Sequence, residues 1–261
     1  MTEESTAGAR QTDEPWTIID SGTYSEATQQ ALERVLLDRV ASGDIGPTLR
    51  IWYRDSPAVA LGRFQAYADE VAPAYVEREG IDVVRRITGG GAMFVQPGAV
   101  VTYSLYLPAE MVSDDIRGSY ADLDRWAIDA LRNLGVHAAH EPLNDIAHAE
   151  GKIGGSAQRR TDGAVLHHTT MSYDLDIAEM LRVLRIGEQK VSDKAISSAE
   201  KRVAKIADHA DATRSDVVGA LKREVREQAG ATKRALTEDE LASAQKLVEE
   251  QFDTAEWNRQ L

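Results

Sequence analysis

Lys152 is the first lysine of the chain, and it stands in a glycine-rich run, Gly151-Lys152-Ile153-Gly154-Gly155-Ser156-Ala157-Gln158-Arg159-Arg160. A second such run lies upstream, Arg85-Arg86-Ile87-Thr88-Gly89-Gly90-Gly91. No carboxylate occurs from Arg85 to Pro108 or from Gly151 to Arg160, although the chain carries 43 acidic residues against 30 basic ones. An acidic protein has thus set aside a cationic, glycine-rich site, which suits an anion and most simply a phosphate. The chemistry such loops can serve is acyl-adenylate formation, in which a carboxylate approaches the α-phosphate of ATP. The two anions repel until fixed cations and backbone N–H groups neutralise them. Glycine lets backbone donors come close, and a lysine ammonium is a mobile point charge able to follow the carboxylate and then the five-coordinate phosphorus. Asn144-Asp145 precedes the second run, and its carboxylate could hold the Mg2+ that accompanies departing pyrophosphate. By itself that pair reads first as an ordinary turn.

Other patterns fail on spacing. A P-loop needs glycine five residues before Gly151 and Ser or Thr after Lys152, where the chain has Ile146 and Ile153. Gly89-Gly90-Gly91 is followed by Ala92, Met93 and Phe94, without the last glycine of a dinucleotide fingerprint. Gly154-Gly155-Ser156-Ala157-Gln158 lacks the closing glycine of a nucleophile elbow. The six histidines, His137, His140, His148, His167, His168 and His209, show no zinc-helix spacing and read as strand or surface residues. With no cysteine, disulfides, thiolate metal sites and a cysteine nucleophile are excluded. The net charge of −13 argues against a nucleic-acid partner. The 22 arginines beside 8 lysines suit a halophilic cytoplasm, where salt screens acid repulsion. Met1 to Glu14 is polar and acidic, unlike a signal or transit peptide, and no apolar run approaches the length of a membrane span. A soluble, cytoplasmic protein with no membrane partner is expected.

Such loops need elements to hang from. Residues 1–15 read as a disordered tail, and residues 16–261 as one domain. Ala31, Leu32, Val35, Leu36 and Val40 recur at helical spacing and predict a helix over 26–40. Strands are expected at 49–53, 58–61 and 81–84, the last leading into the arginine pair, with a helix over 67–79. Residues 100–107 alternate and are expected to close a hairpin around Gln96-Pro97-Gly98. A helix over 122–134 precedes strands at 153–158 and 164–173, joined by a turn at Thr161 to Gly163. Helices are expected at 179–184, 198–206, 214–228 and 237–257, the last opened by a Thr237/Glu240 capping box. The fold class is α+β, with mixed or antiparallel sheets and peripheral helices.

Taken together, these residues resemble lipoate-protein ligase A, within the biotin/lipoate ligase and octanoyltransferase superfamily. The likeness rests on Arg50-Ile51-Trp52 with Gly62-Arg63-Phe64-Gln65, on Arg85 to Ala92 as the RR-x-(S/T)-GGGA loop, and on Asn144-Asp145-Ile146 with Gly151 to Ala157. His167-His168-Thr169-Thr170 and Asp193-Lys194-Ala195-Ile196-Ser197-Ser198 with Arg202-Val203 extend it, from about Trp16 to Trp257. The resemblance implies that Lys152 contacts both acyl carboxyl and phosphate. It places Arg85, Arg86, Gly89, Gly90, Gly91 and His168 at the lipoyl group, and Gly91, Asn144, Asp145, Lys152, Gly155, Ser156 and Ala157 at the nucleotide, with Asp145 at Mg2+. The implied reaction makes lipoyl-AMP from lipoate and ATP, then an amide on a lysine of an apo lipoyl domain, from a 2-oxoacid dehydrogenase acyltransferase or the glycine cleavage H protein. The family's accessory domain is expected to be absent, which makes a separate accessory ligase subunit a candidate partner. Where the family has His-Asp after the glycine loop this chain has Val95-Gln96, and where it has Gly-Asn it has Gly98-Ala99. The rival readings are an octanoyl or lipoyl transferase of the same fold, which works through a cysteine thioester, a biotin ligase, and a non-catalytic acyl- or nucleotide-binding paralogue.

Overall fold

The computed structural model describes residues 15–20, 22–185 and 202–261. In chain order its elements are β1 (Thr17–Ile19), β2 (Thr23–Tyr24), α1 (Glu26–Ala41), β3 (Thr48–Arg54), β4 (Ala58–Leu61), α2 (Tyr67–Glu70), α3 (Pro73–Glu79), β5 (Asp82–Arg85), β6 (Met93–Val95) and β7 (Val100–Pro108). There follow α4 (Ile116–Asn133), β8 (Ala139–Glu141), β9 (Asp145–His148), β10 (Gly151–Arg160), β11 (Ala164–Ser172), α5 (Ile177–Val183), α6 (Ile206–His209), α7 (Arg214–Ala229), β12 (Thr232–Arg234), α8 (Glu238–Leu247) and α9 (Ala255–Asn258). The main sheet has the order β12-β1-β3-β7-β11-β10-β9-β8, with β2 beside β3, and a smaller sheet has the order β5-β4-β6. Both are mixed. β12, β1 and β3 run parallel, the pairs from β3 onward are antiparallel, and β4 pairs parallel with β5 and antiparallel with β6. The fold is α+β, as the sequence predicts.

Strand alternation decides which residues meet which helices. Leu49 and Ile51 of β3 and Tyr103 and Leu105 of β7 pack on one face beneath α4 and α7, against Trp126, Leu131 and Leu221. The intervening residues face α1, where Tyr106 and Leu166 meet Leu32 and Leu36. Both leucines are fully buried, and each contributes roughly 1.5–3 kcal/mol of transfer free energy. Towards the far end of this second face the side chains turn polar. Register sets Trp52 opposite Thr102 and Arg50 opposite Ser104, then Thr102 opposite Thr170 and Ser104 opposite His168. That polar end is the floor of the site described below.

Several expected elements are revised. The helix expected over 67–79 is two short ones, because Pro73 occupies the first position of α3 and Ala72 before it is extended at φ −89, ψ 90; proline disfavours helical geometry in the preceding residue. Gln96-Pro97-Gly98 does not close a hairpin. β6 pairs with β4, whereas both edges of β7 are taken by β3 and β11, so the turn passes the chain from the small sheet to the large one. The helix over 237–257 ends at Leu247, continues as a wide turn through Val248–Phe252 and resumes as α9. Most of the expected 198–206 helix, most of the expected tail and Asp193 to Ser198 lie outside the described residues; within them, Val203 forms a parallel bridge with Lys152, through the Arg202 carbonyl and the Ala204 N–H. Strands β1, β8, β9 and β12, each of three or four residues, carry too few alternations to be read from sequence. No helix among the described residues is long and apolar enough to cross a membrane.

Capping boxes open both α7 and α8, with Thr213/Asp216 and Thr237/Glu240 as the reciprocal pairs. Replacing Thr213 by Ala frees an amide at the start of the helix that covers the α4 face. Chemical denaturation of Thr213→Ala should show a loss of about 1 kcal/mol.

Candidate active site

A cavity of about 140 Å3 opens where the Gly90-Gly91 loop crosses the polar end of the β3–β7–β11 face. Trp52, Thr102, His168 and Thr170 form its floor, Ala60 and Met93 of the small sheet one wall, and Asn144, Lys152, Gly155, Ser156 and Ala157 the other. Arg54, Arg86 and Lys152 reach it, and its described lining includes no carboxylate. An adjoining apolar pocket of about 210 Å3 lies beyond Lys152, between Phe94, Val100, Ile153, Leu175 and Met180. Lys152, Met93, Ala92 and Thr170 border both.

The three cations are not equivalent. Arg54 is neutralised by Glu26 at 2.5 Å and also donates to Thr102 Oγ1. Arg86 is buried and donates only to neutral oxygens, those of Thr88 Oγ1, Gly89 and Ala60 at 2.6 to 3.2 Å. Burial lowers its pKa to about 10, against the pull of the more distant Glu26. Among the described residues it has no salt-bridge partner, so an anion entering the cavity would meet a desolvated positive charge, where electrostatic attraction is strongest.

Lys152 is placed by backbone irregularity. The β9–β10 register shifts between Lys152 and Gly154, a bulge that re-aims the side chain. The ammonium then lies across Gly155, where a Cβ would come within 2.9 Å of Nζ. Nζ pairs with Asp145 Oδ1 at 2.7 Å. On its other edge Lys152 is zipped to Arg202 and Ala204, its N–H donating to the Arg202 carbonyl and its carbonyl accepting from Ala204 N–H, both at 2.9 Å. Asn144 holds the neighbouring strand by exchanging bonds with the Ser156 backbone, and the Ser156 hydroxyl donates to buried Asp124, which also accepts from Tyr103 and Thr169.

His168 connects the floor to the glycine loop. Its Nδ1 lies 2.9 Å from Glu33 Oε2 and its Nε2 2.9 Å from Thr88 Oγ1. Burial pushes its pKa down although Glu33 pulls it up, so the ring is neutral at pH 7. A carboxylate only accepts; Nδ1 therefore carries the proton and Nε2 accepts from Thr88, whose oxygen accepts in turn from Arg86 Nε. Glu33 also takes the hydroxyls of Ser104 and Tyr106 and faces Arg50 at 3.6 Å, and Ser104 accepts from the Trp52 indole. One buried carboxylate on α1 thus orients Trp52, His168, Thr88 and, through Thr88, Arg86.

Of the residues singled out in sequence, Arg86, Gly90, Gly91, Asn144, Lys152, Gly155, Ser156, Ala157 and His168 line the cavity. Gly89 does not line it, but its carbonyl accepts from Arg86. Asp145 stands behind the lysine as its ion-pair partner. Arg85 is turned away. Its guanidinium is fully buried and donates to the carbonyls of Gly62, Arg63, Gln65, Trp257 and Asn258 at 2.6 to 3.2 Å. Successive residues of a strand point to opposite sides, so only one of two adjacent arginines can face the cavity. Sequence reasoning missed Trp52, Arg54, Met93, Thr102, Thr170 and Glu33. The signal for the floor was present in β3, where Arg50, Trp52 and Arg54 alternate with apolar residues in a strand that carries Leu49 and Ile51 into the core.

The chain matches the family model described as the lipoyl protein ligase A/B catalytic domain over residues 25–226. It is 31% identical to lipoate-protein ligase A subunit 1 of Thermoplasma acidophilum over 69% of this chain and 71% of that protein. It is also 31% identical to lipoate-protein ligase 1 of Staphylococcus aureus, over 60% of this chain, and the match spans about half of that relative's length, 46%. The octanoyltransferase LipM of Symbiobacterium thermophilum is 29% identical over 66% of this chain and 70% of its own. Among solved structures, a bi-partite lipoate protein ligase from T. acidophilum superposes with a TM-score of 0.83 at 28% identity, covering 95% of this chain and 96% of that one. A lipoate-protein ligase A bound with ATP gives 0.79 at 26% identity, over 95% and 99% of the two chains.

Two outcomes follow from the geometry. Arg85→Ala should destabilise the protein by about 3 kcal/mol or more in urea unfolding, because buried carbonyls lose their donor. For His168, whose folded pKa lies below the ordinary 6.5, the native state binds fewer protons than the unfolded state, so its contribution is complete above about pH 6.5 and declines as pH falls through the folded value. In His168→Gln the stability curve should flatten below about pH 6.5; an unchanged slope there would show that the ring does not titrate as described.

Proposed function

The chain belongs to the lipoyl protein ligase A/B catalytic-domain family, and on that premise we propose that it is an ATP-dependent lipoate-protein ligase. The observation that carries this reading is the placement of Arg86, buried with no salt-bridge partner among the described residues, opposite the Lys152 ammonium across a cavity whose described lining includes no carboxylate. Two such cations suit a reaction that must bring two anions together. Lipoate would lie in the cavity with its apolar body against Trp52 and Met93, and its carboxylate towards Lys152. The adenine ring would occupy the apolar pocket beyond the lysine, which leaves the α-phosphate between the two.

In the first step a lipoate carboxylate oxygen attacks the α-phosphorus and pyrophosphate leaves, giving lipoyl-AMP. Lys152 bridges the carboxylate and the α-phosphate oxygens, and Asp145 holds the ammonium aimed until substrate draws it forward. Arg86 offsets the charge that builds on phosphate. In the second step the amine of an acceptor lysine on an apo lipoyl domain attacks the acyl carbonyl, AMP leaves with the bonding pair, and the amine's proton passes to solvent. Asp145, the carboxylate beside Lys152, would hold Mg2+ together with pyrophosphate oxygens and water, since the described cavity lining itself offers no carboxylate; the ion would neutralise the leaving group. By likeness to the bi-partite ligase, a separate accessory chain is part of the proposal, with residues 16–261 as the catalytic domain.

The octanoyltransferase relatives raise the one competing reading. A transferase working through a cysteine thioester has no nucleophile here, because the chain contains no cysteine. Incubation with an apo lipoyl domain, ATP and lipoate, octanoate or biotin in turn, with and without a candidate accessory chain, tests the proposal by mass spectrometry. The expected result is a lipoyl mass gain that needs ATP. Lys152→Ala should slow pyrophosphate release by about two orders of magnitude or more, and near-normal release from that variant would remove the lysine from the mechanism.

A further inference from the structure

His148, Glu150 and His209 come together at the surface although no sequence spacing links them. Each offers a ligand atom, and these atoms lie within 4.8 Å of one another. His148 ends β9 and Glu150 sits in the turn into β10, whereas His209 ends α6. The two imidazoles are packed face to face, with centroids 3.9 Å apart and planes at 28°. Both are half-buried, and Glu150 is exposed. The Glu150 amide donates to His148 Nδ1 at 3.2 Å, so that nitrogen presents a lone pair within the turn. A neutral imidazole ligates a metal through such a lone pair.

We propose that His148, Glu150 and His209 form a binding site for a divalent cation of the zinc class, which clamps α6 to the β9–β10 turn. Two imidazole nitrogens with one carboxylate oxygen favour Zn2+ and its neighbours over Mg2+ or Ca2+, which prefer all-oxygen sets. Three protein ligands leave a fourth tetrahedral position for water. With metal–ligand bonds of about 2.0–2.2 Å, the ligand atoms must draw to about 3.5 Å apart. Rotations of three side chains with solvent-facing edges supply that movement, and the backbone is already in place. Ala207 N–H donates to the Tyr173 carbonyl, and Arg202 and Ala204 are bonded to Lys152, so α6 is docked before any ion arrives. The turn gives up one long hydrogen bond, from the Glu150 amide.

This site is separate from the anion cavity and does not depend on the ligase reading. Its position gives it a consequence for the neighbouring strand. Gly151 and Lys152 follow Glu150 directly, and the residues that close the far edge of Lys152 lead straight into α6. An ion joining the two would close a loop around the base of the lysine strand.

The test uses the untagged full chain freed of metal with a chelator. Co2+ titration should give visible ligand-field absorption that saturates at one equivalent and is displaced by Zn2+. His148→Ala and His209→Ala should each weaken binding by more than the tenfold or so that losing an outer hydrogen-bond partner costs a metal site. Zn2+ should raise the melting temperature of the native chain, as any ligand selective for the folded state does, and leave that of His148→Ala/His209→Ala unmoved. No saturable binding below about 1 mM, or binding retained by the double variant, would overturn the proposal.

Discussion

A guanidinium held out of water is among the least comfortable groups a fold can contain, and the site is built around one, Arg86, that has no salt-bridge partner among the described residues. Arg86 is kept in place by three neutral oxygens, one of which belongs to Thr88, the residue that His168 and Glu33 hold from below. Glu33 in turn fixes Ser104 and Tyr106 of the central strand and, through Ser104, the Trp52 indole. The cavity's floor, its cation and its glycine loop are therefore one connected object. Within it Arg86, Thr88, Glu33, Ser104 and Trp52 are buried, and the remaining guanidinium hydrogens are left for a ligand.

The opposite wall works by different means. Lys152 is half-exposed in its side chain, but its backbone is bonded on both edges, to β9 and to Arg202–Ala204. The bulge at Ile153 and the bare Cα of Gly155 let the ammonium lie along the strand, and Asp145 holds it there. A buried cation faces a half-exposed one across the cavity. That division suits a reaction in which charge travels from a carboxylate to a phosphorus and then to a leaving group.

Much of this was legible in the residues alone. The two glycine runs without carboxylates supply residues of the cavity lining, and the Thr237/Glu240 capping box and the β10–β11 pair followed from short-range pattern. What remained hidden depended on pairing between distant segments. Nothing in Arg85-Arg86 says which guanidinium faces the cavity until the strand's register is set by β4. Glu33 reads as one more acidic residue on an amphipathic helix, since the partners that make it a hub come from β3, β7 and β11. Asp145 could be placed near the lysine, but not that it would hold the ammonium. His148 and His209 meet only because α6 is docked by residues that zip against Lys152.

Arg85 and Arg86 share a peptide bond and face opposite sides of the same strand. The first grips the carbonyls of Trp257 and Asn258 together with those of the Gly62–Gln65 loop, and the Trp257 indole returns a bond to the Arg85 carbonyl. The strand end thus acts as a lever with its fulcrum between two arginines. A partner that seats on or peels away the α9 turn would tilt the Arg86 guanidinium without ever touching the cavity.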